Sequence, residues 1–110
     1  MMNLNEQVLD TVYRVLVPSE IREQLGWGIN ITLTALVNQE SAVVTLYLAS
    51  QKLQLHGKIS MVNPMLDNLG RVCLAQATCK SLGWGENDII SLQPCIQEGT
   101  LALKRVKKHM

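Results

Sequence analysis

The alternation of apolar and polar positions is written twice along this chain. From Tyr13 to Val17 a short, mostly apolar and β-branched run predicts a strand. Pro18 to Leu25 then changes to a helical period, with Ile21 and Leu25 four apart on one face and Glu20, Arg22 and Glu23 elsewhere. Proline suits the first turn of this helix, because the N–H it lacks would go unpaired there. Gly26 is its natural left-handed stop, and Trp27 is placed to fold back on the last turn. Period two returns from Ile29 to Val37 and, after the turn Asn38-Gln39-Glu40-Ser41, from Ala42 to Leu48. A weaker alternation over Leu4–Val12 predicts a further strand ahead of these. Ala49 to Lys58, with Leu53 and Leu55 alternating against polar residues, joins the two copies and reads as strand rather than loose linker.

The second copy follows the same plan. Strands are expected at Ile59–Leu66 and Arg71–Leu74, separated by the turn Asp67-Asn68-Leu69-Gly70. A helix follows at Ala75–Leu82, stopped by Gly83. Strands at Asp88–Cys95 and Thr100–Lys104 flank the turn Gln97-Glu98-Gly99. At an offset of 57 positions, Asp10 meets Asp67, Arg14 meets Arg71, and Leu25-Gly26-Trp27-Gly28 meets Leu82-Gly83-Trp84-Gly85. Ten of the thirty-eight pairs between 9 and 46 are identical without a gap, and the two tryptophans coincide. Each unit is ββαββ. One such unit exposes an apolar sheet face and cannot stand alone, whereas two can close it. The expectation is one domain over 1–110, made of repeat 1 (1–50) and repeat 2 (58–104) with a basic tail at 105–110.

Composition narrows the class. The chain is 47% hydrophobic and 17% charged, so it can build a core of Leu, Val, Ile and Met, without phenylalanine. No apolar run is long enough to span a membrane, and the first residues lack the charge and apolar block of a secretory signal. Cys73, Cys79 and Cys95 form no C-x-x-C pair and are expected to be small buried residues in a reducing compartment. Net charge is +1, but residues 1–103 carry six Lys/Arg against nine Asp/Glu, and the last seven residues add four cations. The body is therefore not a basic protein, and the terminus is either a solvated tail or a phosphate-contacting arm.

The motif Asp-x-x-Gly-Arg-Val, followed by a helix that closes on Leu-Gly, resembles the swapped-hairpin DNA-binding domains of the AbrB, SpoVT and MraZ type. Repeat 2 keeps Asp67, Gly70, Arg71, Val72, Leu82 and Gly83, with Ala75 in place of the family's proline and Cys79 in place of its helix arginine. Repeat 1 keeps Asp10, Arg14, Val15, Pro18, Ile21, Arg22, Leu25 and Gly26, with Tyr13 in place of the glycine. The resemblance implies a mainly β fold with short helices: a swapped-hairpin, AbrB-like barrel formed by two ββαββ repeats as an intrachain pseudo-dimer. A double-psi-type barrel, built from similar ββαβ units, is the alternative that strand order addresses.

The same resemblance implies a cytoplasmic, prokaryotic transcriptional regulator and no enzyme. It implies DNA contact through Arg14, Arg22, Arg71 and, one place beyond Cys79, Lys80, with possible tail contacts from Lys104, Arg105, Lys107 and Lys108. Arginine suits the task because its planar fork pairs bidentately with phosphate or a guanine edge. The competing reading is local: Asp four residues before Arg across a tight turn forms an ion pair that pins the hairpin. Four site cations and a tail of four give an expected log–log salt slope of about 4–6, at about 0.9 per phosphate. The alternative function is a non-catalytic protein-interaction module, antitoxin-like or scaffold, that keeps the barrel without DNA binding; a homo-oligomer is compatible with either. Trp27 and Trp84, just after helix caps, are expected to pack rather than stack on bases. His56 and His109 lack companions at ligand spacing, and no catalytic, cofactor or metal motif is present.

Overall fold

The structure, a computed structural model, describes residues 4–51 and 60–106, with the side chains of 60–62 left aside. Its elements in chain order are β1 (Glu6–Val8), β2 (Arg14–Leu16), α1 (Ser19–Leu25), β3 (Ile31–Asn38), β4 (Val43–Leu48), β5 (Ser60–Val62), β6 (Met65–Leu66), β7 (Arg71–Cys73), α2 (Gln76–Leu82), β8 (Ile89–Cys95) and β9 (Thr100–Arg105). The expected strand character of Ala49–Lys58 falls largely on 52–59, outside the described residues.

The strands form an antiparallel sheet in the order β1-β8-β9-β4-β3-β6-β7-β2, with β5 also on β3. The sheet curls into a nearly closed barrel. Its two end strands meet where the Asp10 amide donates to the Arg14 carbonyl at 3.0 Å. Strand β1 of the first copy pairs with β8 of the second, and β5 and β6 of the second pair with β3 of the first.

The sequence offset of 57 reappears as geometry. Val15 lies opposite Val72 in the β2–β7 ladder, and Thr45 lies opposite Ala102 in the β4–β9 ladder; both are repeat-equivalent pairs. The β3–β4 and β8–β9 hairpins have equivalent registers, Leu33 against Leu48 and Ile90 against Arg105. A pseudo-two-fold axis therefore runs through both ladders, and five inter-copy strand pairings hold the halves together.

The core follows from the alternation. Leu9, Val15, Leu33, Val44, Leu46, Leu66, Val72, Ile90, Leu92, Leu101 and Leu103 are fully enclosed. Trp27 and Trp84 pack onto them, 4% and 3% exposed, after nearly identical caps. At each cap the glycine is left-handed (Gly26 φ 71°, Gly83 φ 76°). The tryptophan amide then reaches back 2.8 Å to the carbonyl of Arg22 or Cys79, satisfying a helix-end acceptor.

Three local expectations are corrected. Ile59–Leu66 is not one strand: Asn63-Pro64 divides it into β5 and β6, because proline has no N–H for the ladder. Both pieces keep a single register on β3, and the Pro64 carbonyl still accepts the Leu33 amide at 2.8 Å. Pro18 stands just outside α1 with ψ 150°, its carbonyl accepting the Ile21 and Arg22 amides at 3.0 Å. Of the cysteines only Cys79 is buried. Val72 takes the inward position of β7, so Cys73 faces out, and Cys95 ends β8 at the surface.

One backbone site departs from the symmetry. Ala75 precedes α2 with φ 67° and ψ 139°, where its counterpart Pro18 has φ −57°. A Cβ is strained there, at a cost on the order of 1–3 kcal/mol. Ala75→Gly is therefore expected to raise stability by about 1 kcal/mol, whereas Ala75→Pro, despite the proline at position 18, should lower it. Urea unfolding midpoints of the two variants check both signs.

Candidate nucleic-acid interface

Strands β6, β7, β2 and β1 form one panel, with Arg14 on β2 and Arg71 on β7, while Arg22 stands on α1. Because Val15, Val72, Leu9 and Leu66 point inward, their neighbours Arg14, Leu16, Arg71, Cys73, Val8 and Met65 point outward. The β2–β7 register sets Arg14 opposite Cys73 and Leu16 opposite Arg71. The two arginines are thus diagonal neighbours across the pseudo-axis, about 7–8 Å apart on such a ladder. Five of the eight exposed large hydrophobic side chains among the described residues lie on or beside this panel, at Val8, Val12, Leu16, Met65 and Leu69.

Each arginine is aimed by the turn before it. Asp10 Oδ1 accepts the amides of Val12 and Arg14 at 2.9 and 2.8 Å, and its Oδ2 accepts Arg14 Nε at 2.7 Å. Asp67 repeats the pattern with Leu69 and Arg71 amides at 2.9 Å and Arg71 Nε at 3.0 Å. The aspartate therefore pins the hairpin, as the local reading expected, and at the same time fixes the guanidinium by its Nε edge. The two amino groups of each fork make no hydrogen bond or ion pair among the described residues. Side-chain exposure of 34% for Arg14 and 29% for Arg71 keeps them within reach of a ligand.

These bonds hold both carboxyls below their ordinary 3.8. Burial alone would raise Asp10, but the Arg14 amide, its guanidinium and the Val12 amide outweigh it. For Asp67 the Arg71 amide leads against burial, with the Leu69 amide and the guanidinium adding to it. A carboxyl lowered by folding stabilises the protein above its unfolded pKa, and that contribution is lost as pH falls through the folded value. Stability is therefore expected to decline from about pH 4 downward. The double variant Asp10→Asn, Asp67→Asn should be less stable at neutral pH and flatter through this acid range. Urea midpoints measured against pH report both effects.

Arg22 reaches across to the other copy. Its Nε donates to the Val17 carbonyl at 3.1 Å, and its guanidinium covers Gly70, where a Cβ would stand 3.1 Å from Nε. Gly70 takes φ 80°, and its equivalent Tyr13 takes φ 63°. Arg22 and Arg71 are thereby brought to one corner. Lys80 does not join Arg14 in this way; it is exposed on α2, its side chain without an ion pair or hydrogen bond among the described residues. At the equivalent of Arg22, burial pushes the Cys79 thiol up to about 11, with Cys73 adding, so Cys79 is a small apolar filler.

Lys104 lies in the last strand as expected, and the tail boundary is corrected at Arg105, because β9 and its hairpin register run on to Ile90–Arg105. Arg105 Nη1 donates to the Gly83 carbonyl at 2.6 Å and stands 3.7 Å from the buried Asp88 carboxylate. It is engaged in closing α2 onto the barrel. Lys107 and Lys108 lie outside the described residues. Among the described residues no group of three His, Cys, Asp or Glu is arranged to hold a metal, and no helix is long and apolar enough to cross a membrane.

No family model matches the chain, and no curated protein matches it. Among solved structures it is similar to the solution structure of PHS018 from Pyrococcus horikoshii, at 14% identity and a TM-score of 0.50, over 100% of both chains. At that identity the likeness is one of fold alone.

Proposed function

We propose that this chain is a non-enzymatic, cytoplasmic DNA-binding regulator of the AbrB and MraZ kind, a single-chain pseudo-dimer that contacts duplex DNA through the outer face of β6, β7, β2 and β1. One observation carries the reading. Arg14 and Arg71 stand outward on either side of the pseudo-axis, each gripped by its Nε edge and left with its amino edge free. A fork so fixed loses little side-chain entropy on meeting a phosphate or a guanine edge. Pseudo-two-fold presentation also suits the two-fold repetition of duplex backbone. The exchange of first strands between the copies supports the interleaved-hairpin architecture of this reading.

The test is a fluorescence anisotropy titration against random duplex at low and moderate salt. The reading expects binding that weakens with salt, with a log–log slope of a few units. A flat titration at low salt would overturn it.

A protein partner on the same panel is the second reading. It is favoured by the exposed Val8, Val12, Leu16, Met65 and Leu69, which form an apolar surface beside two ion pairs. Flat DNA titration together with a Val12→Asp, Leu69→Asp variant that loses a co-purifying protein would favour this alternative.

A further inference from the structure

The two corners of the panel are equivalent in backbone and unequal in charge. At the Arg71 corner, Arg22 adds a second guanidinium, held over Gly70 one residue away from Arg71. At the Arg14 corner the equivalent positions are the buried Cys79 and the partly buried Tyr13, and among the described residues no second guanidinium stands there.

Helix periodicity sharpens the contrast. With Ile21 and Leu25 turned inward on α1, Arg22 occupies the flank beside the 67–70 hairpin, Glu20 the opposite flank and Glu23 the outer side. Lys80, the equivalent of Glu23, is likewise on the outer side of α2, away from the 10–13 hairpin. The groups facing the first corner are thus Arg22, Arg71 and Asp67. Those facing the second are Arg14 and Asp10.

We infer that the panel is one-sided: Arg22 and Arg71 form the principal phosphate subsite, Arg14 is the weaker one, and the protein docks on duplex DNA with a fixed polarity. This rests on the DNA-binding reading above. A Cβ at position 70 would stand 3.1–3.3 Å from the Arg22 guanidinium, which would have to shift by a few tenths of an ångström, so glycine there leaves Arg22 its place.

The experiment is the same anisotropy titration at several salt concentrations, on the wild type and four variants. Arg71→Ala should weaken binding more than Arg14→Ala. Arg22→Ala should lower the salt slope by about 0.9, about a three- to fourfold change over a fourfold range of salt. The pair Tyr13→Gly, Cys79→Arg, which builds a second copy of the strong corner, should tighten binding and raise the slope by about the same amount. A gain of that kind is not produced by mere disturbance of the fold. Equal losses for Arg14→Ala and Arg71→Ala, or an unchanged slope in Arg22→Ala, overturn the inference while leaving the DNA reading intact. Absence of wild-type binding at low salt overturns both. If the paired variant loses its circular dichroism, the single arginine variants decide.

Discussion

Replacing Arg14 and Arg71 together with alanine is expected to reduce affinity for duplex DNA by at least about thirty-fold and to lower the salt slope by about 1.8. The first figure takes the lower end of about 1–3 kcal/mol for each well-made arginine contact. The second takes about 0.9 per phosphate neutralised. The loss should come without unfolding, because each ion pair is about one-third exposed and worth under about 1 kcal/mol to the fold. Removing the cations also leaves Asp10 and Asp67 unpaired on the panel, which adds repulsion toward a phosphate. Titration of the double variant, with its melting curve alongside, separates contact from collapse. Unchanged affinity in a folded variant would move the DNA site off this panel.

The second large effect is on stability. Leu46 and Leu101 face each other across β4–β9, beside the Thr45–Ala102 pair on the pseudo-axis, and both are fully buried. Leu46→Ala removes core volume between the copies and is expected to cost about 2–5 kcal/mol. A domain of this size holds on the order of 5–15 kcal/mol in total, so a substantial fraction is at stake. Because the ladders cross between copies, the loss should be shared. Trp27 in the first half and Trp84 in the second should report one common, lowered midpoint when each is followed separately after Trp→Phe replacement of the other. A variant that destabilised only the Trp27 signal would mean that the halves fold independently.

Much of this architecture is legible in the sequence because its determinants are local. Leu-Gly-Trp-Gly encodes a left-handed cap and the aromatic that covers it, and both helices end where those residues stand. Asp-x-x-x-Arg encodes a turn in which a short carboxylate satisfies two amides, and both hairpins form it. The 57-residue repeat also carried the register, since equivalent residues meet on the pseudo-axis at Val15–Val72 and Thr45–Ala102.

What escaped is long-range or depends on a single backbone angle. The pairing of Arg22 with Gly70 joins residues 48 positions apart in sequence and becomes visible only once β2 and β7 are neighbours. The capture of Arg105 by Gly83 and Asp88 was hidden because a cation near a chain end reads as solvated tail. Ala75 gives no warning of its positive φ, since alanine ordinarily avoids that region. The break at Asn63-Pro64 was signalled by the proline itself, which removes a ladder donor. Exposure of Cys73 follows from strand alternation once Val72 is known to face the core.

The most direct measurement is an amide chemical-shift map of the protein titrated with random duplex at low salt. Salt-reversible perturbations gathered on 8–17, 22 and 65–73, with the β4–β9 ladder on the far side of the barrel silent, are the result expected here. Perturbations centred on 43–48 and 100–105, or none at all, would contradict it.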